Sequence, residues 1–290
     1  MIRDFKYFAP KTLSEALKLL DKYRDDYKIV CGGQSILIMM RQGLVRPETV
    51  IGIKGITELS YIKGDAKKGM KIGALTTHRT IEKSKVVQNS FGVLAEMENR
   101  LASIQTRNWG TIGGNISHAD PAGDPAPVLI ALNASLTLSG TGGERTMPVE
   151  DFFLDYFETA LEAGEMLTEI QIPPAAPNTG TAYTKFNVID SDMATVGVAV
   201  SITLTAKDGT CKNARIVLGA AAPTPIRAKK AEKILIGKKI TDNLLKEAGE
   251  IASTEAEPIS DIHASAEYRR ELVRVLVKRV GKEALARAKA

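Results

Sequence analysis

The chain switches repeatedly between helical and strand periodicity, and those switches predict its elements. Thr12-Leu13-Ser14-Glu15 has the pattern of a capping box, and Leu13, Ala16, Leu17 and Leu20 follow at helical spacing, predicting an amphipathic helix to about Tyr23. The apolar runs at 28–31 and 49–53 predict strands, with a helix over about 35–42 between them. Segments 59–63 and 70–75 alternate as strands do around a turn at 64–69, and Thr76-Thr77-His78 leads into a short helix. Phe91, Leu94 and Met97 mark the buried stripe of the next helix, after which 101–109 reads as a loop and Trp109, the single tryptophan, as a packing residue beside it. Asp124-Pro125 has the form of an N-cap and first helical residue ahead of the apolar run Val128-Leu129-Ile130-Ala131-Leu132. Segments 135–138 and 144–147 pair as a hairpin over the turn at 140–143, and 165–172 is a strand closed by Pro173-Pro174.

Residues 173–180, with Pro173, Pro174, Pro177 and Asn178-Thr179-Gly180, form the strongest punctuation in the chain. Strand patterns at 182–188, 195–206 and 212–219 follow, the last two joined through Asp208-Gly209, and predict a three-stranded antiparallel sheet. Helical spacing then covers 226–236, 241–253 and 267–289. The last of these carries Leu272, Val275, Leu276 and Val280 on one face, and Arg269, Arg270, Arg274, Lys278 and Lys282 largely elsewhere. That basic face is either solvated or a subunit contact. The fold class is α+β, divided into residues 1–175, with parts 1–57 and 58–175, and a smaller sheet-plus-helices domain over 176–290.

Composition narrows the function classes. At 290 residues, 44% hydrophobic and 25% charged, the chain is long enough for two or three packed subdomains. Its start, residues 1–7, is charged where a signal peptide is apolar, and no run approaches the ~20 apolar residues of a membrane helix, so a cytoplasmic protein is expected. A net charge of +5, with Lys and Arg spread along the chain, speaks against nucleic acid as a partner. Two cysteines, Cys31 and Cys211, are too few for an iron–sulfur cluster, and His78, His118 and His263 lack metal-ligand spacing, so no metal site is expected.

The chemistry concentrates in two glycine-bearing segments. In Ile29-Val30-Cys31-Gly32-Gly33-Gln34-Ser35-Ile36 a strand empties into Gly-Gly and a helix start; in Gly110-Thr111-Ile112-Gly113-Gly114-Asn115 a loop of small residues precedes Asp124-Pro125. Each reads either as a packing turn or as a phosphate cradle, where glycines at positive φ turn successive N–H groups toward an anion. A pair of cradles suits a diphosphate. Neither has the Gly-Lys-Ser/Thr of a P-loop or the spacing of a Rossmann turn.

Cys31-Gly32-Gly33-Gln34-Ser35 through Arg46-Pro47-Glu48, together with Arg107-Asn108-Trp109-Gly110-Thr111-Ile112-Gly113-Gly114-Asn115, resembles the paired FAD loops of the medium subunit of molybdenum hydroxylases, the family of xanthine and carbon monoxide dehydrogenases. Gly164 to Pro173, Lys185 with Asp192-Met193-Ala194, and Arg215-Ile216-Val217-Leu218-Gly219-Ala220 continue it in family order, so it spans nearly the whole chain. The resemblance implies a two-part FAD-binding domain of the vanillyl-alcohol-oxidase-like type. It implies FAD held by Ile29 to Ile36 and Gly110 to Asn115, with Thr77 and His78 close to the nucleotide and Asp124, Leu167 and Lys185 lining the flavin end. Molybdopterin and 2Fe-2S clusters are expected in a large and a small partner subunit, in a dimer of heterotrimers, with electrons passing through FAD to an external acceptor. Asp124 is then a helix cap, a flavin partner or both, and Lys185 either a solvated strand residue or a cation for the reduced flavin. Cys31 stands where the family more often has alanine, and Met193 where several relatives have tyrosine. A stand-alone FAD oxidoreductase with its own substrate and a scaffold subunit without FAD are the alternatives.

Overall fold

The computed structural model describes residues 4–24, 26–189 and 191–290; of the charged start, residues 1–3 lie outside it. The amino-terminal part holds β1 (Lys6–Phe8), α1 (Leu13–Lys22), β2 (Tyr27–Val30), α2 (Ile36–Gln42) and β3 (Thr49–Gly52). The strands form a parallel sheet in the order β1-β3-β2. Thr12 caps α1 by accepting from the Glu15 N–H at 3.2 Å, while the Glu15 carboxylate closes back on the Lys11 N–H at 2.8 Å. Ala16 and Leu20 are fully buried against Ile51, Ile53 and Ile56. Strand β1 is absent from the sequence reading because three residues show no period of their own; its pairing with β3 makes it a strand.

The central part comprises β4 (Ile62–Asp65), β5 (Gly69–Gly73), α3 (His78–Lys83), α4 (Lys85–Ser90), α5 (Gly92–Asn99), α6 (Ile104–Trp109), α7 (Ile112–His118), α8 (Pro125–Ala131), β6 (Ser135–Gly140), β7 (Gly143–Pro148), β8 (Phe153–Asp155), β9 (Glu158–Thr159) and β10 (Met166–Ile172). Five strands make an antiparallel sheet ordered β4-β5-β10-β6-β7, and β8 and β9 a separate hairpin. Three expectations change here. Residues 57–59 form a 3-10 turn ahead of β4. The 101–109 loop contains α6, capped by Ser103, which accepts from the Thr106 N–H. The Thr111 segment is not a loop: it is the helix α7, in which Thr111 caps the Gly114 N–H at 3.1 Å and Ile112 and Ile116, one helical turn apart, are fully buried.

The last part holds β11 (Thr179–Phe186), β12 (Val196–Leu204), β13 (Cys211–Gly219), β14 (Ile226–Arg227), α9 (Lys229–Leu235), α10 (Asp242–Glu255) and α11 (Ala266–Lys289). The antiparallel sheet has four strands rather than three, because Ile226 and Arg227 pair with Leu218 and Val217 before the chain turns helical. The Glu232 carboxylate fixes that turn by accepting from the Ile216 N–H and from Arg227. One face of this sheet packs on α9, α10 and α11. From the other, Tyr183, Ala199 and Val217 join the core around α8. Among the described residues no helix is long and apolar enough to cross a membrane.

Candidate functional site

The fold brings the two glycine-bearing segments, eighty positions apart, into contact. The Cys31 Sγ lies 3.0 Å from the Thr111 Oγ1. A Cβ on Gly32 would overlap the Trp109 carbonyl oxygen, and one on Gly114 would stand 2.8 Å from the Cys31 sulfur. The segments divide the work unevenly. In the second, the Ile112 and Gly113 N–H groups already donate to the Thr76 and Ala74 carbonyls at 3.1 and 2.9 Å. Neither Gly113 nor Gly114 takes a positive φ; glycine is needed there because a Cβ on Gly113 would fall 2.5 Å from the Ala74 Cβ and 2.6 Å from its oxygen. In the first, Gly33 has φ +70°, and the N–H groups of Gly33, Gln34, Ser35 and Ile36 find no hydrogen-bond acceptor among the described residues. They open α2, so four free donors and a positively polarised helix start coincide where an anion would sit.

Asp124 is not a side-chain cap. It makes no capping bond to α8 and, 5% exposed, instead accepts from the Tyr183 hydroxyl at 2.6 Å and from the Lys185 Nζ at 2.7 Å. Lys185, 4% exposed, also donates to the Asp192 carbonyl at 2.9 Å, so it is not a solvated strand residue. Strand period explains the arrangement: Tyr183 and Lys185 stand two apart on one face of β11 and reach the head of α8 together. Burial pushes Asp124 up from its ordinary range, and the Lys185 charge pulls it back. Arg100 adds a further cation near Asp124 and Tyr183.

The remaining candidates spread over several roles. Thr77 caps α3 and bridges to Thr111 across the joint. His78 is 3% exposed; its backbone N–H donates to the Gly110 carbonyl at 3.1 Å and its ring Nδ1 pairs with the Glu98 Oε2 at 2.8 Å, so its side chain is buried behind the joint. Leu167 lies in the central core beside a bulge in β10, and Ile29, Val30 and Ile36 are half-buried around the first segment. Met193 is 55% exposed. Trp109, expected to pack, is 54% exposed, with the Lys54 ammonium 3.2 Å from its ring centre. Cys211 is buried, its thiol pushed up to about 11 by burial. Among the described residues no group of three or more His, Cys, Asp or Glu side chains could hold a metal ion. The sequence reading passes over Tyr183 and Glu98. Tyr183 was legible, two positions before Lys185 in an alternating strand, whereas Glu98, next to Met97 in an apolar helix, looks like any surface charge.

Two family descriptions match the chain: FAD binding domain in molybdopterin dehydrogenase, over residues 3–175, and CO dehydrogenase flavoprotein C-terminal domain, over residues 181–284. The carbon monoxide dehydrogenase medium chain of Hydrogenophaga pseudoflava is 37% identical over 283 residues, covering 98% of each chain. The xanthine dehydrogenase FAD-binding subunit of Escherichia coli O157:H7 is 28% identical over 97% of this chain and 96% of that one. Among solved structures, carbon monoxide dehydrogenase from Hydrogenophaga pseudoflava lacking the Mo-pyranopterin moiety of its cofactor matches with a TM-score of 0.95 at 38% identity, over 99% of each chain. Quinoline 2-oxidoreductase from Pseudomonas putida 86 matches with a TM-score of 0.93 at 30% identity, over 100% of each chain.

Proposed function

The chain belongs to the FAD-binding family of molybdopterin dehydrogenases, as an oxidoreductase subunit, and on that premise we propose that it carries FAD as the electron-transferring subunit of a molybdenum-containing hydroxylase. Its partners are a molybdopterin-binding large subunit and a small subunit with 2Fe-2S clusters, assembled as a cytoplasmic dimer of heterotrimers. Electrons come from the clusters and leave for an external acceptor. One observation carries the reading: two sequence-distant segments meet and leave four N–H donors without an acceptor among the described residues.

The residues fit the cofactor. A Cβ on Gly33 would be strained by its positive φ and would press on the Leu37 side chain, so the first segment keeps its backbone open to a diphosphate only as glycine. Cys31 to Ser35, with Thr111 and Asn115, hold the pyrophosphate and ribityl, and Ile29, Val30 and Ile36 flank them. Asp124, Leu167 and Lys185 line the flavin end, and Gly110 and Thr77 set the joint. FAD supplies the redox chemistry, and the chain supplies position and field. The Lys185 side chain, held by Asp124 and the Asp192 carbonyl, would be kept oriented toward the flavin end. Tyr183 fixes the second Asp124 oxygen, so the carboxylate cannot swing away from the lysine.

No His or Cys stands as an evident attachment point, so the flavin is expected to be non-covalent. Acid precipitation of the reconstituted chain should leave all yellow colour in the supernatant. Colour in the pellet refutes the non-covalent part, and a colourless protein after reconstitution refutes the whole reading.

A further inference from the structure

Glu98 on α5 is fully buried, and only one of its oxygens is used. Oε2 pairs with the His78 Nδ1 at 2.8 Å, while Oε1 has no hydrogen-bond partner. A buried carboxylate left half-satisfied destabilises a fold, and an apolar residue would pack this site between helices more cheaply. The position of its neighbours says what the carboxylate does. Through the His78 ring it reaches Gly110: a Cβ on Gly110 would stand 3.1 Å from the His78 Cδ2, so the ring packs against the backbone just before the Thr111 cap, beside the backbone N–H of His78, which donates to the Gly110 carbonyl at 3.1 Å. The titratable groups that bear on it are His78 from α3, Arg107 from α6 and Asp124 at the head of α8.

We propose that Glu98 is a positioning residue for the flavin: by holding the His78 ring it fixes the Gly110-Thr111 joint of the phosphate end. The inference rests on the FAD reading above.

The test uses the full chain reconstituted with FAD, comparing Glu98→Gln and Glu98→Leu with the parent. Glu98→Leu, which leaves the His78 ring unheld, should bind FAD about tenfold more weakly, the loss of about one charge-assisted hydrogen bond. Glu98→Gln keeps that contact and should bind within about twofold of the parent, a rescue that a residue needed only for its charge would not give. Should Glu98→Leu fail to fold, His78→Leu carries the affinity arm with the same expectation. Unchanged affinity in the leucine variants, or a glutamine variant that binds as weakly as Glu98→Leu, overturns the proposal. A parent chain that binds no FAD defeats the functional reading instead.

Discussion

A Gly113→Val variant is expected to lose its fold and its FAD together, whereas Gly33→Val should lose FAD alone. Both change a glycine of the same pair of segments, but the obstacles differ. At position 113 the new Cβ meets the Ala74 Cβ at 2.5 Å and the Ala74 carbonyl oxygen at 2.6 Å, and that carbonyl is the one the Gly113 N–H donates to. Nothing flexible lies there, so α7 must separate from the segment joining β5 to α3. A cost of at least about 3 kcal/mol follows from overpacking a rigid contact. At position 33 the Cβ meets the Leu37 Cδ1 at 2.8 Å, the far end of a movable side chain. There the cost is the φ of +70°, which a β-branched residue resists by about 1–2 kcal/mol. Thermal unfolding of the two apo proteins and FAD titration separate the outcomes. A Gly113→Val protein that melts with its parent would show that the helix does not approach Ala74 so closely, and a Gly33→Val protein with full flavin content would mean the first segment is a packing turn.

Asp124→Ala should be the most damaging single change at the redox end, costing about 3–5 kcal/mol, because it strands the Lys185 ammonium in the interior with one carbonyl for company and orphans the Tyr183 hydroxyl. Most of that loss comes from the unpaired charge rather than from the missing bond. Asp124→Ala combined with Lys185→Met should therefore recover most of the stability and none of the flavin chemistry. Denaturant unfolding of the single and double variants, with flavin content measured alongside, tests this. If the double variant is no more stable than Asp124→Ala, the lysine is not the source of the loss.

The elements with a strong period were legible: α1 from Thr12 and its apolar stripe, α10 and α11 from their spacing, β10 to β13 from alternation. The short helices around the site were not. Segment 112–118 contains two glycines, an asparagine and a serine, which disfavour helix in isolation. Its helix exists because Thr111 caps it and because Ile112 and Ile116 bury against β10 and its neighbours, and only the first of those signals is local. Ser103 announces α6 in the same manner, ahead of an Arg107 whose carboxylate partner, Glu82, lies in a distant helix. The two glycine-bearing segments stood out as a pair, but the difference between them was not legible, since the Ala74 and Thr76 carbonyls that occupy the second segment's donors are tertiary neighbours. The Asp124 cap failed for a related reason: the pattern Asp-Pro is a good helix start, and a buried lysine outcompetes the helix for the carboxylate.

The pairing of Asp124 with two residues of β11 also orders the protein's biosynthesis. On the proposed reading, the residues that would grip the phosphates lie before residue 120, in the segment that matches the FAD-binding family over residues 3–175. Tyr183 and Lys185, which would complete the redox end, emerge later and take their place only once β11 has its neighbour β12, which runs on to residue 204. Cofactor capture by a nascent chain is therefore expected in two stages. A weak hold on the diphosphate comes first, and the tight, correctly charged seat for the ring forms after the carboxy-terminal sheet has closed over the head of α8.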